Sequence, residues 1–552
     1  MSGKNGKQDN YIKQDNYIKQ GTILAAASLI VRIIGMLYRF PMSNIIGEEG
    51  NGLYSVAFEI YDIMLIISSY SLPLAISKII SAKSSRKEYK GILRTFRCAF
   101  TFAFIAGAIA GLVLFFGAPL FEKTLAGGKY TGLALPLRVL APTVFLVALM
   151  GALRGLYQGK GTMMPTAVSQ VIEQIVNAGV SIYAAYALVK AHETAADVAG
   201  WGAAGGTMGT LFGALFGFVM LGLIYFLFRP VIVTQAKRDR HKRIESQGEI
   251  YKLIILTSVP IILSQTVYQI SGIIDYSIFG GIQSSRGFSD VAIKTATGLY
   301  STKYRLLISV PIAIATAMSS SILPSVASSF AINDEESMNR KISLGIKFNM
   351  LIAFPCFAGL AVLAKPVLMI LYPSQDYVTG GYLLAIGSIA VVFYAISNIS
   401  GAVLQGIDRM RLPVIHSAIA LVVHVIVVFL LLKFTSLGII SLVIGNVIFP
   451  VIVSILNIRS IMLYTSYRQE YIRTFGVPLI SSFIMAAITL GLYKIIYALF
   501  PHNTIVVIFV IPVAVVVYFA MYFILRGATK EEVYEFPMGV RIVRLASRFG
   551  VM

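Results

Sequence analysis

The sequence contains few of the residues that build disulfide frameworks, metal centres or charged soluble surfaces. Its 552 residues include only two cysteines, five histidines and one tryptophan, and 13% of them are charged. Cys98 and Cys356 lie far apart, each in an apolar segment without a neighbouring thiol or histidine, so we predict neither a disulfide framework nor a metal site. No phosphate-binding glycine loop and no nucleophile paired with a base stands out. We therefore predict a protein that is not an enzyme and carries no cofactor.

The sequence is rich in long apolar segments, and 57% of its residues are hydrophobic, which exceeds the content of a soluble domain. A helix of about 20 apolar residues crosses the hydrocarbon core of a bilayer. Segments of this length recur throughout and leave no room for a soluble domain. We predict an all-α polytopic membrane protein with about fourteen transmembrane helices. The predicted spans are 21–46, 52–81, 92–119, 132–157, 163–189, 202–228, 251–280, 292–330, 343–371, 380–406, 412–433, 437–462, 474–499 and 504–525.

Acidic residues are scarce, with 25 Asp and Glu against 46 Lys and Arg, for a net charge of +21. Most of the basic residues lie on the N-terminal tail, on alternate loops and on the C-terminal tail, so the positive-inside rule places both termini in the cytoplasm of a multi-pass plasma-membrane protein. The basic clusters 78–97 and 237–252 flank membrane helices and lack interleaved aromatic residues. This pattern favours contact with anionic lipid and not with nucleic acid.

A short motif occurs once in each half of the chain. Gly52-Leu53-Tyr54-Ser55 recurs as Gly298-Leu299-Tyr300-Ser301, and Gln158-Gly159 recurs as Gln405-Gly406 at a similar offset. An even number of predicted spans separates the copies, so the two halves have the same orientation in the membrane. We predict two parallel six-helix repeats followed by two C-terminal helices, with substrate bound between the repeats.

These repeats define the predicted domain organisation. The C-terminal tail carries arginines opposite apolar residues, as in Arg541 and Arg544 opposite Ile542 and Leu545, which predicts an amphipathic helix on the membrane surface. The predicted segments are a cytoplasmic tail (1–20), an N-lobe of helices 1–6 (21–228), a basic cytoplasmic connector (229–250), a C-lobe of helices 7–12 (251–462), helices 13 and 14 (463–526) and a cytoplasmic amphipathic tail (527–552).

Ionisable residues inside the predicted spans mark the candidate site, because an arginine at the centre of a membrane helix costs roughly 2.5 to 3.5 kcal/mol. Arg32 and Arg39 are close to two helical turns apart and share one helix face. Guanidinium groups match phosphate well, so we predict a central cavity that binds an anionic, phosphate-bearing substrate. The candidate substrate-binding residues are Arg32, Arg39, Arg138, Lys303 and Arg305, and the candidate supporting or coupling residues are Glu59, Asp62, Glu173, Asn177 and Asp275.

Purely structural readings of these residues stay open. Glu59 or Asp62 could pair with Arg32 or Arg39 and only lock helices together. In the fifth span, a polar stripe on one helix face could line the cavity or form interhelical hydrogen bonds. The sixth span carries a glycine every four residues, which predicts close helix packing. The stripe consists of Gln170, Glu173, Gln174 and Asn177, and the glycines are Gly205, Gly209, Gly213 and Gly217.

Two stretches resemble a known superfamily. Arg32-Ile33-Ile34-Gly35 is similar to the first-helix arginine motif of the MOP superfamily of flippases and exporters, in its polysaccharide-export branch of stage V sporulation protein B and MurJ-like lipid II flippases. Arg305, in the run 300–324, falls where that branch has a cavity arginine. The resemblance implies a monomeric, V-shaped, alternating-access flippase. It would move an undecaprenyl diphosphate-linked oligosaccharide such as lipid II outward, among membrane lipids, with a coupling cation left open.

Two other functions remain as alternatives. A MATE-type drug or metabolite exporter would be expected to carry cation-binding acidic residues in the first helix, where this chain carries two arginines. A nontransporting scaffold for cell-wall or spore-coat assembly would tolerate neutral replacement of the arginines inside the spans.

Overall fold

The computed structural model describes residues 27–239 and 245–535, together with positions 24, 540 and 544. All regular secondary structure in these residues is helical. The predicted cytoplasmic tail 1–20 lies outside the described residues, as do Arg541, Ile542 and Leu545 of the predicted amphipathic helix.

The chain divides into two compact units, Met1–Gly298 and Leu299–Met552. In the first unit, helix α8 begins with a capping box, in which the Ser246 side chain accepts from the backbone N–H of Glu249 and the Glu249 carboxylate accepts from Ser246. The helices of the first unit are α1 (Ala27–Leu37), α2 (Arg39–Leu65), α3 (Leu72–Ser85), α4 (Tyr89–Thr124), α5 (Ala134–Gly159), α6 (Met164–Ala191), α7 (Val198–Arg238), α8 (Gln247–Ser285) and α9 (Asp290–Leu299), at whose end the unit stops.

The second unit continues the same span through a π-helical turn, Tyr300–Arg305, into α10. Its apolar core packs α11 against the last two long helices through side chains such as Leu351, Met485 and Tyr518. The helices are α10 (Leu306–Ala331), α11 (Glu335–Val362), α12 (Ala364–Leu371), α13 (Tyr377–Gly387), α14 (Ala390–Gly406), α15 (Arg411–Phe434), α16 (Ile440–Tyr464), α17 (Val477–Leu499), α18 (Asn503–Ile524) and α19 (Lys530–Glu535).

The predicted polytopic, all-helical membrane fold is confirmed. Within the described residues, eleven helical segments are long and apolar enough to cross a membrane, and the pair α13 and α14, bent by 44°, makes a twelfth. The other two predicted spans correspond to the short apolar helix α1 and to α8, which is 39 residues long. Gly47, with a φ of 70°, forms a kink inside α2 and separates the first two predicted spans. Glycine adopts this backbone conformation without steric cost.

The glycines of the sixth predicted span let α7 lie directly against α6, as predicted. A Cβ atom at Gly205 would meet the backbone of Ala184 and Ala185, and one at Gly213 would meet the carbonyl oxygen of Glu173. Elsewhere in the unit, α3, α4, α5 and α7 share one apolar core. The first compact unit extends beyond the basic connector and includes α8 and most of α9. The division into lobes 21–228 and 251–462 therefore remains a prediction.

Candidate functional site

Arg39, at the start of α2, lies in a cluster of polar side chains inside the first unit. It hydrogen-bonds the hydroxyl of Tyr38 and interacts electrostatically with Tyr54 and Asp62. Both tyrosines are buried, whereas Arg39 is half-buried. The amide of Gln269 on α8 donates to Asp62 over 3.3 Å. Hydrogen bonds to a charged group contribute about 1.5 to 3 kcal/mol, enough to offset the cost of holding this guanidinium in a membrane segment.

Arg32 lies on α1 with an exposed side chain. On the same helix, Gly35 faces α6 so closely that a Cβ atom there would lie 3.0 Å from the amide nitrogen of Gln174. The two arginines therefore differ in their surroundings. Arg39 is fixed by named partners, whereas Arg32 presents its guanidinium on the surface of the unit.

The predicted acidic residues of α2 face α8. Glu59 is buried, and its carboxylate packs directly onto Gly272, where a Cβ atom would require the carboxylate to shift. Asp275, one helical turn further along α8, is also buried, with 5% of its surface exposed. Both Glu59 and Asp62 therefore contact α8. Asp62 also interacts electrostatically with Arg39.

The polar stripe of the fifth predicted span mainly makes interhelical contacts. Arg154 of α5 donates to Glu173 over 2.7 Å, and 15% and 27% of the two side chains are exposed. Asn177 accepts from Ser181 at 2.9 Å and donates to the hydroxyl of Tyr38 at 3.5 Å. The stripe therefore connects α5 and α6 to the Arg39 cluster, which corresponds to the hydrogen-bonding alternative left open by the sequence.

Arg154 is a residue that sequence reasoning missed. It lies near the end of the predicted span 132–157, nineteen positions before Glu173, and a signal was present in the sequence because an acid and a base occur on consecutive membrane helices. Tyr61, which interacts electrostatically with both Asp62 and Glu173, joins this ion pair to the Arg39 cluster. The first unit therefore contains one continuous polar region.

In the second unit, Lys303 is completely buried in the π-helical turn. Its aliphatic stem packs on Gly380, and its Nζ atom lies 5.5 Å from the ring centroid of Tyr372. Burial opposes ionisation of the loop residue Asp376, but hydrogen bonds from the side chain and backbone of Thr379 and the charge of Lys303 lower the pKa of Asp376. These contacts are those of a structural lysine.

Arg305 ends the same turn and is half-buried. The neighbouring Tyr304 is buried and donates a hydrogen bond of 2.8 Å to Asn446, which fixes the turn against α16. Since π-helical turns are rare and often occur at functional sites, Arg305 is the more accessible candidate ligand of this turn. Arg138, by contrast, is exposed on α5, with its guanidinium 5.8 Å from the ring centroid of Phe115.

Comparison with protein families places this polar, arginine-bearing helical assembly among known transporters. Residues 17–330 match the family model described as polysaccharide biosynthesis protein. The chain belongs to this family. Residues 260–430 also match the MatE family model. The predicted resemblance to the MOP superfamily is thereby confirmed, and the chain is a multi-pass membrane protein of the flippase and transporter class.

Individual relatives from Bacillus subtilis (strain 168) agree with this family. The chain is 22% identical to "Lipid II flippase MurJ" over 412 residues, which are 73% of this chain and 75% of the relative. It is 23% identical to "Stage V sporulation protein B" over 476 residues, or 84% of this chain and 88% of the relative.

Two solved structures share the fold. A lipid II flippase MurJ in an inward closed conformation matches with a TM-score of 0.66 and 16% identity, over 92% of this chain and 99% of that chain. An inward-facing MATE family multidrug transporter matches with a TM-score of 0.61 and 16% identity, over 78% of this chain and 94% of that chain.

Proposed function

We propose that the protein is an alternating-access flippase that moves an undecaprenyl diphosphate-linked cell-wall precursor, lipid II, from the inner to the outer leaflet of the bacterial plasma membrane. Both termini would lie in the cytoplasm. The observation that carries this proposal is the half-buried Arg39 in a membrane segment, which hydrogen-bonds the hydroxyl of Tyr38 and interacts electrostatically with Tyr54 and Asp62. The similarity to relatives named lipid II flippase MurJ and stage V sporulation protein B supports the choice of substrate.

In this proposal, Arg39 binds the diphosphate group. The hydrogen bond to Tyr38 orients the guanidinium, and the charge of Asp62 stabilises it electrostatically, so that little side-chain entropy is lost when the anion binds. Arg32, exposed on the preceding helix, contributes a second positive charge. Arg305 in the second unit is a separate candidate ligand, which has to be tested by its own variant.

Membrane potential is the proposed driving force. The interior of the cell is negative, so a head group with net negative charge moves outward down the electrical gradient, which supplies about 2.3 kcal/mol per charge per 100 mV. The arginines would reduce the cost of carrying the anion through the membrane.

The test measures lipid II exposed on the outer leaflet of cells depleted of their own flippase. We expect Arg39→Gln to lower outward movement by about tenfold or more, because loss of one charged hydrogen-bond pair costs at least about 1.4 kcal/mol. Arg32→Gln and Arg305→Gln are measured in parallel. The matched control is Arg86→Gln, because Arg86 is a largely exposed arginine that lies 4.0 Å from Glu88.

Normal outward movement in an Arg39→Gln variant that is present at the normal level would show that the arginine does not bind the diphosphate. Export of cationic dyes by the unchanged protein, without lipid II movement, would favour the MATE-type exporter instead. The MatE match of residues 260–430 makes this control necessary.

A further inference from the structure

A second ionic network in the first unit is formed by residues that are not among the candidate phosphate ligands. The Nζ atom of Lys294 on α9 pairs with the carboxylate of Glu49 on α2 at 2.6 Å, and only 7% of the Lys294 side chain is exposed. Lys294 also donates to the hydroxyl oxygen of Thr131 at 3.1 Å. One buried lysine therefore joins α2, α9 and the loop between α4 and α5.

The same loop makes a second set of contacts with α8 and α9. Lys129 pairs with Asp290 at 2.9 Å, with about a third of each side chain exposed. The hydroxyl of Tyr130, which is completely buried, lies 3.1 Å from the hydroxyl of Thr297 and 3.3 Å from the carbonyl oxygen of Tyr276. Burial raises the pKa of the Tyr130 phenol, so its hydroxyl stays protonated and available as a donor.

Two glycines let the backbones of α2 and α9 touch beside these ion pairs. A Cβ atom at Gly52 would collide with the carbonyl oxygen of Lys294, and one at Gly298 would collide with that of Glu48. Gly52 and Gly298 are the first residues of the duplicated Gly-Leu-Tyr-Ser motif. The two copies of the motif thus cross at equivalent glycines.

We propose that Glu49, Lys294, Lys129 and Asp290 form an outer latch that holds the outer end of the transporter closed. α2 belongs to the first predicted repeat, whereas α9 belongs to the second, so these contacts tie the repeats together at one end. The assignment to the outer side rests on the proposed function, in whose topology the segments 47–51, 125–133 and 286–289 all lie opposite the termini. Release of substrate to the outside then requires the outer latch to open.

The two ion pairs of the outer latch are expected to differ in how much they stabilise the closed conformation. Removing one partner of a buried pair leaves an uncompensated charge, which strongly favours any conformation that hydrates it. Lys294 is in this position, whereas the more exposed pair of Lys129 and Asp290 contributes little. The Lys294–Glu49 pair therefore sets the equilibrium between the closed and open outer end.

The experiment uses a single reporter cysteine in the full-length protein. Cys98→Ser and Cys356→Ala remove the native thiols, and Thr297→Cys places one thiol at a position that is completely buried next to Tyr130. Intact cells are treated with a membrane-impermeant maleimide, and the labelling rate is measured. We expect slow labelling of the reporter protein and about tenfold faster labelling after Glu49→Gln, since the open conformation gains population.

Two further variants make the result specific. The charge exchange Glu49→Lys with Lys294→Glu is expected to return labelling towards the slow rate, because the pair is restored. Lys83→Gln is the matched control, since Lys83 is an equally buried lysine of the same unit that pairs with Glu245 at 2.5 Å. It is expected to leave labelling unchanged.

Unchanged labelling in Glu49→Gln and in Lys294→Gln, each present at the normal level, would overturn the outer latch. Faster labelling that occurs only in inverted vesicles would overturn the outer assignment and the topology assumed in the proposed function. The labelling needs no substrate, so a working latch in a protein that moves no lipid II would refute the proposed function alone.

Discussion

The two predicted repeats carry opposite charges on matching helices. In the first repeat the arginines precede the Gly-Leu-Tyr-Ser motif and the acids follow it, whereas in the second repeat the acid precedes the motif and the basic residues follow it. The first set is Arg32 and Arg39, then Glu59 and Asp62, and the second set is Asp275, then Lys303 and Arg305. Among these residues, the order of acids and bases around the motif is therefore opposite in the two predicted repeats.

The basic residues of the two predicted repeats also differ in their burial and in the side chains that contact them. Arg39 is half-buried, hydrogen-bonds Tyr38 and interacts electrostatically with Tyr54 and Asp62, whereas Lys303 is completely buried between Gly380 and Tyr372. A completely buried charged side chain is suited to a structural role, whereas a partly exposed side chain with a fixed orientation is suited to binding a ligand. We infer that Arg39 acts in binding and Lys303 in stability. Lys303→Met tests this division, and three further substitutions test other ionic and packing contacts of the charged residues.

The largest effect is expected for Lys303→Met. The variant removes a completely buried charge whose field also acts on Asp376, so we expect unfolding to become easier by about 3 to 5 kcal/mol, as when the contacts of other buried charges are broken. Thermal unfolding of the detergent-purified protein measures this change. Lys365→Met, at an exposed site on α12, serves as the control. A thermal midpoint as high as that of the control would contradict a structural role for Lys303.

The next test concerns the acid that follows the motif in the first repeat. Gly272→Ala places a methyl group where the buried Glu59 carboxylate lies, so this side chain has to shift, and we expect a cost of about 1 kcal/mol, at the low end for overpacking. The same thermal assay applies, with Gly281→Ala as the control because a Cβ atom there meets nothing within 4 Å. If the two variants unfold alike, the close packing of α2 on α8 is wrong.

Arg154→Gln tests a cation that the charge comparison leaves out. Its partner Glu173 would lose a hydrogen bond of 2.7 Å, which we expect to cost about 1.5 to 3 kcal/mol. Combining it with Glu173→Gln should recover part of the loss, because no charge is then left alone. Additive losses in this double-mutant cycle would mean that the two side chains do not interact.

The smallest effect is expected for Lys129→Gln. Its pair with Asp290 is about one-third exposed, so the variant should change stability by about 0 to 1 kcal/mol. Lys294→Gln, at the buried pair with Glu49, should exceed it clearly in the same thermal assay. Equal effects would remove the distinction between buried and exposed pairs on which the outer latch depends.

Much of the fold and part of the site could be predicted from the sequence. Every predicted span overlaps a helix of the described residues, and the glycine repeat of α7 packs against α6 as expected. The proximity of Arg39 and Asp62 was one of the alternatives that the sequence left open, and the structure brings the two together. Arg154 and Lys294 were overlooked, although both lie within predicted spans, because their partners could not be identified from spacing along one helix.

The sequence by itself determined which segments cross the membrane and that arginines lie inside them. This information is local, because a membrane helix satisfies its own backbone hydrogen bonds and is recognised by its length and hydrophobicity alone. Only the tertiary structure decided which cation each acid meets, as for Glu49 with Lys294 or Asp376 with Lys303. Such pairs depend on how helices distant in sequence pack, and apolar surfaces surrounded by lipid do not encode that packing in a hydrophobic pattern.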